Sequence, residues 1–200
     1  MVFIGLLLIA SSPAYSIANK IVILSDCLSI AYGFAPESSW VQKLDQRLKV
    51  MHYPYEVVNM SNGGDTTQQG LEKISEILKV NPTLTILALG GNDGLRGLDP
   101  VFIENNLSQI IQKIQENGSK ILLVRLLSLP TNYGSVYSKR FASIFDRLSE
   151  KHHLKIVSVK SIEESNKKQQ DNVHLSENAQ MDILNTLWPY IIESLKKEES

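Results

Sequence analysis

Four stretches of the chain combine small or polar residues with side chains that can do chemistry. They hold the lone cysteine Cys27, a glycine pair ending at Gly64, the amide of Asn92, and a carboxylate and an imidazole at Asp171 and His174. A thiol becomes a nucleophile when a nearby base takes its proton, and imidazole is such a base. Backbone amides beside glycines and a side-chain amide can stabilise a developing negative charge. If the fold gathers these stretches, their residue types predict nucleophilic catalysis.

Each feature taken singly has a simpler interpretation. A lone cysteine is often a small buried hydrophobic residue, and glycine pairs commonly form turns. Asp171 and His174 could lie in a solvated turn ahead of the last helix. We assign no catalytic role to His52, His152 and His153, because they lie near predicted helix ends, where a cation offsets the helix dipole.

The elements that must position these stretches alternate between strands and helices. The predicted strands are short apolar runs, and the predicted helices carry apolar residues on one face. We expect strands at 20–24, 55–60, 83–89, 120–127 and 154–159, and helices at 38–51, 66–80, 99–117, 136–151 and 176–195, the last kinked or divided at Pro189. This order predicts a parallel sheet covered on both faces, where ligands bind at the carboxyl ends of the strands.

Composition excludes several classes of protein. The 200 residues are 43% apolar and 20% charged, an ordinary globular balance. Lys plus Arg number 20 and Asp plus Glu number 21, so the basic excess of a nucleic-acid partner is missing. A single cysteine rules out disulfides within the chain and any site built on several cysteines. Catalysis by a nucleophile, a base and an orienting carboxylate requires no metal and no organic cofactor, and we expect neither.

The first 18 residues differ from the rest. Residues 2–10 are continuously apolar, and small residues follow, although no Lys or Arg precedes the run. This pattern is typical of a secretory signal peptide and is too short for a stable membrane span. We therefore expect a signal peptide over 1–18, a single domain over 19–200, and a periplasmic or secreted protein. The alternative is a buried first strand or helix.

The chemistry-bearing stretches resemble the conserved blocks of the SGNH (GDSL) hydrolases, and most of all the bacterial group of acyl-CoA thioesterase I, lysophospholipase and arylesterase. The resemblance covers nearly the whole chain from residue 20 to the last helix. Its segments are residues 23–29 (ILSDCLS), 64–70 (GDTTQQG), 89–97 (LGGNDGLRG), 129–134 (LPTNYG), and the D-x-x-H spacing at 171–174. It implies a flavodoxin-like three-layer α/β/α sandwich with a five-stranded parallel sheet, and hydrolysis of acyl esters and thioesters, lysophospholipids included.

The resemblance also implies a role for each matching residue. Cys27 stands where the family has its nucleophilic serine, His174 would be the general base, and Asp171 would orient it. The oxyanion hole would consist of the backbone amides of Cys27 and Gly64 and the side-chain amide of Asn92. Substrate would contact residues of the first and fourth segments, namely Asp26, Leu129, Pro130, Asn132 and Tyr133.

The sequence departs from the family pattern at four positions. Cys27 replaces Ser, Ser25 and Asn172 replace Gly, and Leu175 replaces the common Pro. A thiol ionises far more readily than a hydroxyl, so an imidazolium–thiolate pair is possible at rest. Sulfur is also larger than oxygen, and a misplacement of about 1 Å can remove much of the rate. Three functions therefore stay open: a cysteine-dependent hydrolase, a catalytically impaired acyl-binding homologue or Ser-to-Cys variant, and an acyltransferase with a thioester intermediate.

Overall fold

Five parallel strands form the centre of the molecule. The computed structural model describes residues 19–125, 133–159, 169 and 174–196. Within these residues the strands are β1 (Asn19–Ser25), β2 (Tyr55–Asn59), β3 (Leu84–Ala88), β4 (Lys120–Arg125) and β5 (Ile156–Ser158). They pair in the order β2-β1-β3-β4-β5, with every pair parallel. The carboxyl ends of all five strands therefore lie along one edge.

Helices cover both faces of this sheet. They are α1 (Trp40–Val50), α2 (Thr67–Glu72), α3 (Ile74–Val80), α4 (Gly91–Leu95), α5 (Pro100–Glu116), α6 (Gly134–His152) and α7 (Ala179–Leu195). Short 3-10 turns occupy Cys27–Ser29 and Pro36–Ser38. Local chemistry starts several of these helices: the Ser39 hydroxyl caps α1, a capping box at Thr66 opens α2, and the carboxylate of Asp99 accepts from the amide of Val101 at 2.9 Å.

The strands are apolar on both sides because each side faces its own core. Alternate residues of β1 show this: Ile21 and Ile23 pack toward α1 and α7, whereas Val22 and Leu24 pack toward α3, α5 and α6. The molecule is thus a three-layer α/β/α sandwich, and the predicted five-stranded parallel sheet is confirmed. Among the described residues, no helix has both the length and the apolarity to cross a bilayer.

The structure differs from the sequence prediction in three elements. The helix expected over 66–80 is divided at Lys73, whose amide donates to the carbonyls of Gln69 and Leu71. A five-residue helix, Gly91–Leu95, lies where the sequence analysis predicts neither strand nor helix. The last helix is continuous through Pro189, so of the two predicted outcomes, kinking or division, the structure excludes division; Pro189 and Asn185, whose carbonyl loses its donor, both lie on the exposed face.

Candidate active site

The lone cysteine lies immediately after the buried strand β1. Asp26 ends the extended backbone, and its Oδ1 accepts a hydrogen bond from the amide of Leu28 at 3.1 Å. This bond caps the 3-10 turn Cys27–Ser29. Cys27 is half-buried at the start of that turn. The strand therefore delivers the thiol to the carboxyl edge of the sheet, where ligands of such sheets bind.

The amide of Asn92 joins three of the four chemistry-bearing stretches. It lies in α4, directly after β3, and its Nδ2 donates to Oδ2 of Asp26 at 3.2 Å and to the backbone oxygen of Asp65 at 3.1 Å. Asp26 adjoins Cys27, and Asp65 adjoins Gly64. Asp26, which adjoins the thiol, and Asp65, which adjoins the glycine pair, therefore both accept hydrogen bonds from the same side-chain amide.

Gly64 has a backbone conformation that suits glycine. Its φ is +81°, in the left-handed region that side chains with a Cβ rarely adopt. Its carbonyl accepts from Nη2 of the exposed Arg96 at 3.2 Å. The next residue, Asp65, forms an ion pair with Lys73 and accepts from the amide of Asn62 at 3.2 Å. The side chains of Arg96 and Lys73 and the backbone amide of Asn62 therefore fix the loop that carries Gly64.

A buried polar network ties α4 to the start of α2. The carboxylate of Asp93 has no exposed surface and accepts from the amide of Thr67 at 2.9 Å and from its hydroxyl at 2.6 Å. Asn106 of α5 donates to the same hydroxyl at 3.2 Å. An anion at a helix start is favoured by the unpaired amides there. Asn92 adjoins Asp93, and the Gly64 loop leads into Thr67. The hydrogen bonds between Asp93 and Thr67 therefore fix the distance between Asn92 and the Gly64 loop.

Asp26 is an acid held in a poor environment for its charge. It is 2% exposed, and burial raises its pKa to about 6, with the negative charges of Asp93 and Asp65 acting in the same direction. The hydrogen bond from the amide of Leu28 opposes this rise but does not cancel it. Both carboxylate oxygens already accept from the protein. The substrate contact that we expected for Asp26 stays a prediction.

The imidazole of His174 lies against the loop that follows the cysteine. Its ring stacks on the ring of Tyr32, with the centroids 3.8 Å apart and the planes 16° from parallel. The backbone amide of Gln169 donates to the carbonyl of His174 at 2.8 Å. The side-chain Nε2 of Gln169 donates to the carbonyls of Tyr32 at 2.6 Å and Leu175 at 3.0 Å. Tyr32 and Gln169 were not among the predicted site residues, because no local pattern links positions so far apart.

The predicted segments 129–134 and 171–174 lie only partly within the described residues. Tyr133 lies on Gly97, where an added Cβ would come within 2.5 Å of the Tyr133 ring, and its hydroxyl donates to the carbonyl of Leu95 at 3.4 Å. The tyrosine therefore contacts the segment that follows Asn92. Four predicted site residues lie outside the described residues: Asp171, Leu129, Pro130 and Asn132.

Of the four positions at which the sequence departs from the family pattern, Ser25 is one whose consequence the structure shows. It is the last residue of β1 and is fully buried. Within the described part of the chain, its hydroxyl has no hydrogen-bond partner. A buried hydroxyl without a partner costs about 1–3 kcal/mol. The serine that replaces the family's glycine therefore weakens the strand end that carries the thiol.

The sheet order defines a three-layer α/β/α protein whose candidate site, with the thiol, glycine loop and amide, lies at the carboxyl edge of the sheet. Residues 29–180 match the GDSL-like lipase/acylhydrolase family. That span is more than half of the chain, and the chain belongs to this family. The match begins after Cys27, so it does not include the position of the proposed nucleophile.

Similar proteins are named esterases. The chain is 33% identical to esterase TesA of Pseudomonas aeruginosa over 178 residues, which cover 86% of this chain and 87% of that protein. It is 35% identical to an arylesterase of Vibrio mimicus, with 73% of each chain covered. A thioesterase 1/protease 1/lysophospholipase L1 of Escherichia coli is 37% identical over 66% of this chain and 62% of its own.

Solved structures show the same fold. A crystal structure of TesA superposes with a TM-score of 0.82 at 32% identity, covering 88% of this chain and all of that one. A psychrotrophic esterase, EstA from Pseudoalteromonas, inhibited by monoethylphosphonate, gives a TM-score of 0.83 at 31% identity, covering 90% of this chain and all of its own. The predicted fold, the family and the class of ester hydrolase are confirmed.

Proposed function

We propose that this chain hydrolyses acyl esters and acyl thioesters, with Cys27 as nucleophile, His174 as general base and Asp171 as the residue that orients the base. The observation that carries the proposal is the position of the Asn92 amide. Its Nδ2 lies 3.1 Å from the oxygen of Asp65 and 3.2 Å from the carboxylate of Asp26. The amide is thereby held between the neighbours of Cys27 and Gly64, and it would serve as an oxyanion-hole donor when one of its two N–H groups exchanges its protein acceptor for the carbonyl oxygen of the substrate.

The reaction would proceed in two stages. In acylation, His174 takes the proton of the Cys27 thiol, and sulfur attacks the carbonyl carbon of the ester. The tetrahedral intermediate collapses, a thioester bond to Cys27 remains, and the leaving alkoxide or thiolate takes the proton from the imidazolium. In deacylation, His174 takes a proton from water, hydroxide attacks the acyl carbon, and the bond to sulfur breaks. The sulfur takes the proton back as the free acid leaves.

Charge on the carbonyl oxygen would be met by three donors, the backbone amides of Cys27 and Gly64 and the Asn92 side chain. Removing one donor of this kind typically slows turnover about 10²–10³-fold. Gly64 suits the role because its φ of +81° lets the backbone turn closely without a side chain, and the nearest atom to an added Cβ is Nη2 of Arg96, 4.0 Å away. Backbone amides can thus face a substrate at short range.

The relatives support the proposed substrate class. Their printed names include an esterase, an arylesterase and a thioesterase/lysophospholipase. We extend to this chain the shared chemistry, which is an acyl group joined to an oxygen or sulfur leaving group. Tyr133 would contact the substrate, since it packs against the segment after Asn92 at the same edge of the sheet.

Two substitutions at Cys27 test the proposal. Wild type, Cys27→Ala and Cys27→Ser would be assayed on p-nitrophenyl esters of short and medium acyl chains and on acyl-CoA. We expect turnover by wild type and none by Cys27→Ala. Iodoacetamide should abolish the activity of wild type and leave Cys27→Ser unaffected. If wild type is as inactive as Cys27→Ala while Cys27→Ser is active, the cysteine mechanism is wrong and the protein is a serine-type scaffold with an impaired nucleophile.

Residues 1–18 would act as an export signal that precedes the catalytic domain. Their support is the apolar run at 2–10 followed by small residues. Fusion of these residues to a reporter that is active only outside the cytoplasm tests this, with Leu7→Arg as the matched variant that interrupts the run. We expect export of the first fusion and retention of the second. Equal retention of both would contradict the proposal.

A further inference from the structure

We propose that Tyr32 and Gln169 form a clamp that positions the imidazole of His174, and that turnover depends on the aromatic face of Tyr32. The clamp comprises the Tyr32 ring and the Gln169 side chain and backbone amide. This inference deepens the proposed function, since it rests on His174 acting as the base. It adds two positioning residues that neither the motif spacing nor the family blocks include.

The stacked geometry suits a base that must work in the plane of its ring. The two centroids are 3.8 Å apart and the planes differ by 16°, so the rings lie face to face. An imidazole accepts and donates protons through nitrogens that lie in its plane. A ring stacked on one face restricts rotation of that plane and leaves the nitrogens at the edge accessible. Tyr32 can therefore fix the direction of proton transfer without occupying either nitrogen.

Gln169 holds the backbone on both sides of this stack. Its Nε2 donates to the carbonyl of Tyr32 at 2.6 Å and to the carbonyl of Leu175 at 3.0 Å, and its own amide donates to the carbonyl of His174 at 2.8 Å. Both side-chain partners are acceptors, which fixes the orientation of the amide. One residue thus joins the loop after the cysteine to the residues that carry the base.

The adjoining loop leaves room for this amide. Gly33 follows Tyr32 with a φ of +80°, and a Cβ there would lie 3.0 Å from Oε1 of Gln169. A side chain at this position would be strained by its backbone and would also press on the clamp. Glycine at position 33 therefore leaves space for the Gln169 side chain.

The exposure of Tyr32 distinguishes a role in positioning His174 from a purely structural role. Tyr32 is 50% exposed, so its side chain contributes little to the apolar core. Replacing it should leave the fold intact, because surface substitutions away from buried contacts usually change stability little. What the replacement removes is the face that restrains His174. The expected defect is then in the chemical step rather than in folding.

Tyr32→Leu and Tyr32→Phe test the aromatic face. Leucine keeps apolar bulk and removes the ring, and we expect kcat on a p-nitrophenyl ester to fall about 10-fold with KM nearly unchanged, as for a small misplacement of a catalytic group. Phenylalanine keeps the ring and should recover most of the lost kcat. Tyr190→Leu, a change at another exposed tyrosine on α7, is the matched control and should behave as wild type.

Gln169→Glu tests the second part of the clamp. The carboxylate has the shape of the amide but offers no donor to the two carbonyls, so kcat should again fall while KM changes little. Gln112→Glu, on the exposed surface of α5 where the side chain contacts Glu116, is the control. Loss of activity in both glutamine variants to the same degree would show a general effect of charge and would overturn the role of Gln169.

Proton NMR of the His174 ring supplies a readout independent of turnover. A stacked tyrosine shifts the imidazole signals upfield, so wild type and Tyr32→Phe should show the shift and Tyr32→Leu should lose it. An unshifted wild-type signal overturns the proposal, as does wild-type kcat in Tyr32→Leu or an equal loss in the Phe and Leu variants. His174→Ala separates the two proposals. If His174→Ala keeps its activity, the proposed function is wrong. If His174→Ala is inactive and Tyr32→Leu is fully active, only the clamp is refuted.

Discussion

Asp26 shows how much a single buried carboxylate can control at this site. Its two oxygens hold the turn that carries Cys27 and the amide of Asn92. No cation contacts it among the hydrogen bonds and ion pairs of the described residues. Within the described part of the chain, its charge is stabilised by two amide donors, and burial raises its pKa to about 6. The Asp26 carboxylate therefore holds the Cys27 turn and the Asn92 amide in place, and burial of its charge lowers the free energy of unfolding.

This cost predicts a pH dependence of stability. The pKa of Asp26 rises from 3.8 to about 6 on folding, so the folded state binds the proton more tightly than the unfolded state. The stabilisation by that proton is fully present below pH 3.8 and is lost as the pH rises through about 6. Relative to Asp26→Asn, which cannot titrate, wild type should gain free energy of unfolding as the pH falls from 7.5 to 4.5.

Urea unfolding of wild type and Asp26→Asn at both pH values measures this difference. Subtracting the two proteins cancels the titration of groups that they share. A difference that stays constant with pH, or one that favours wild type more at pH 7.5, would show that the carboxyl is not protonated preferentially in the folded state.

At the scale of elements, the site depends on how closely α2 packs on the sheet. Gly70 lies in the middle of α2, and a Cβ there would approach Cδ1 of Leu89 to 2.3 Å and Cδ1 of Ile110 to 3.4 Å. The glycine therefore allows the helix to approach the end of β3 and α5. That approach also places Thr67 of α2 against Asp93, the neighbour of Asn92.

Gly70→Ala should destabilise the protein although alanine is the better helix former. Helix propensity favours alanine by about 1 kcal/mol, but overpacking a filled core costs typically 1–3 kcal/mol, so a net loss of up to about 2 kcal/mol is expected. Thermal unfolding measures it. Ser75→Ala on the exposed side of α3 is the control that changes a helix residue without adding bulk. A raised melting temperature in Gly70→Ala would mean that α2 can move away from Leu89 freely.

The elements also show what the sequence allows one to predict. Apolar runs predict all five strands, and Asp99-Pro100 predicts the start of α5, because both signals are local. The helix Gly91–Leu95 has two glycines in five residues and no apolar period, so its sequence gives no helical signal. It forms because β3 and α5 bracket it and Asp93 is held by Thr67. The site follows the same rule, since motif spacing predicts Asn92 but not the contact of Tyr32 with His174.

In the whole molecule, strand β1 contributes buried residues to the apolar cores on both faces of the sheet. On the α1 and α7 side the first buried residue is Ile21, and on the α5 and α6 side it is Val22, so β1 supplies both cores from its start. Strand β1 also pairs on both edges, with β2 and β3. Strand β1 is therefore central to the described fold, because it contributes to both cores and to two of the four strand pairs.

If residues 1–18 are the export signal that we propose, residues 19–200 should fold and catalyse the reaction without them. An export signal is not part of the folded domain, so under this proposal the melting temperature and kcat of the shortened chain should equal those of the full chain. Differential scanning calorimetry and the ester assay, run on both proteins in parallel, test this, with deletion of residues 1–22 as a comparison that removes Ile21 and Val22. That longer deletion should abolish cooperative unfolding, because two buried β1 residues and their pairing with β3 are lost. If deletion of residues 1–18 also lowers the melting temperature, the apolar start packs against the domain, and its interpretation as an export signal fails.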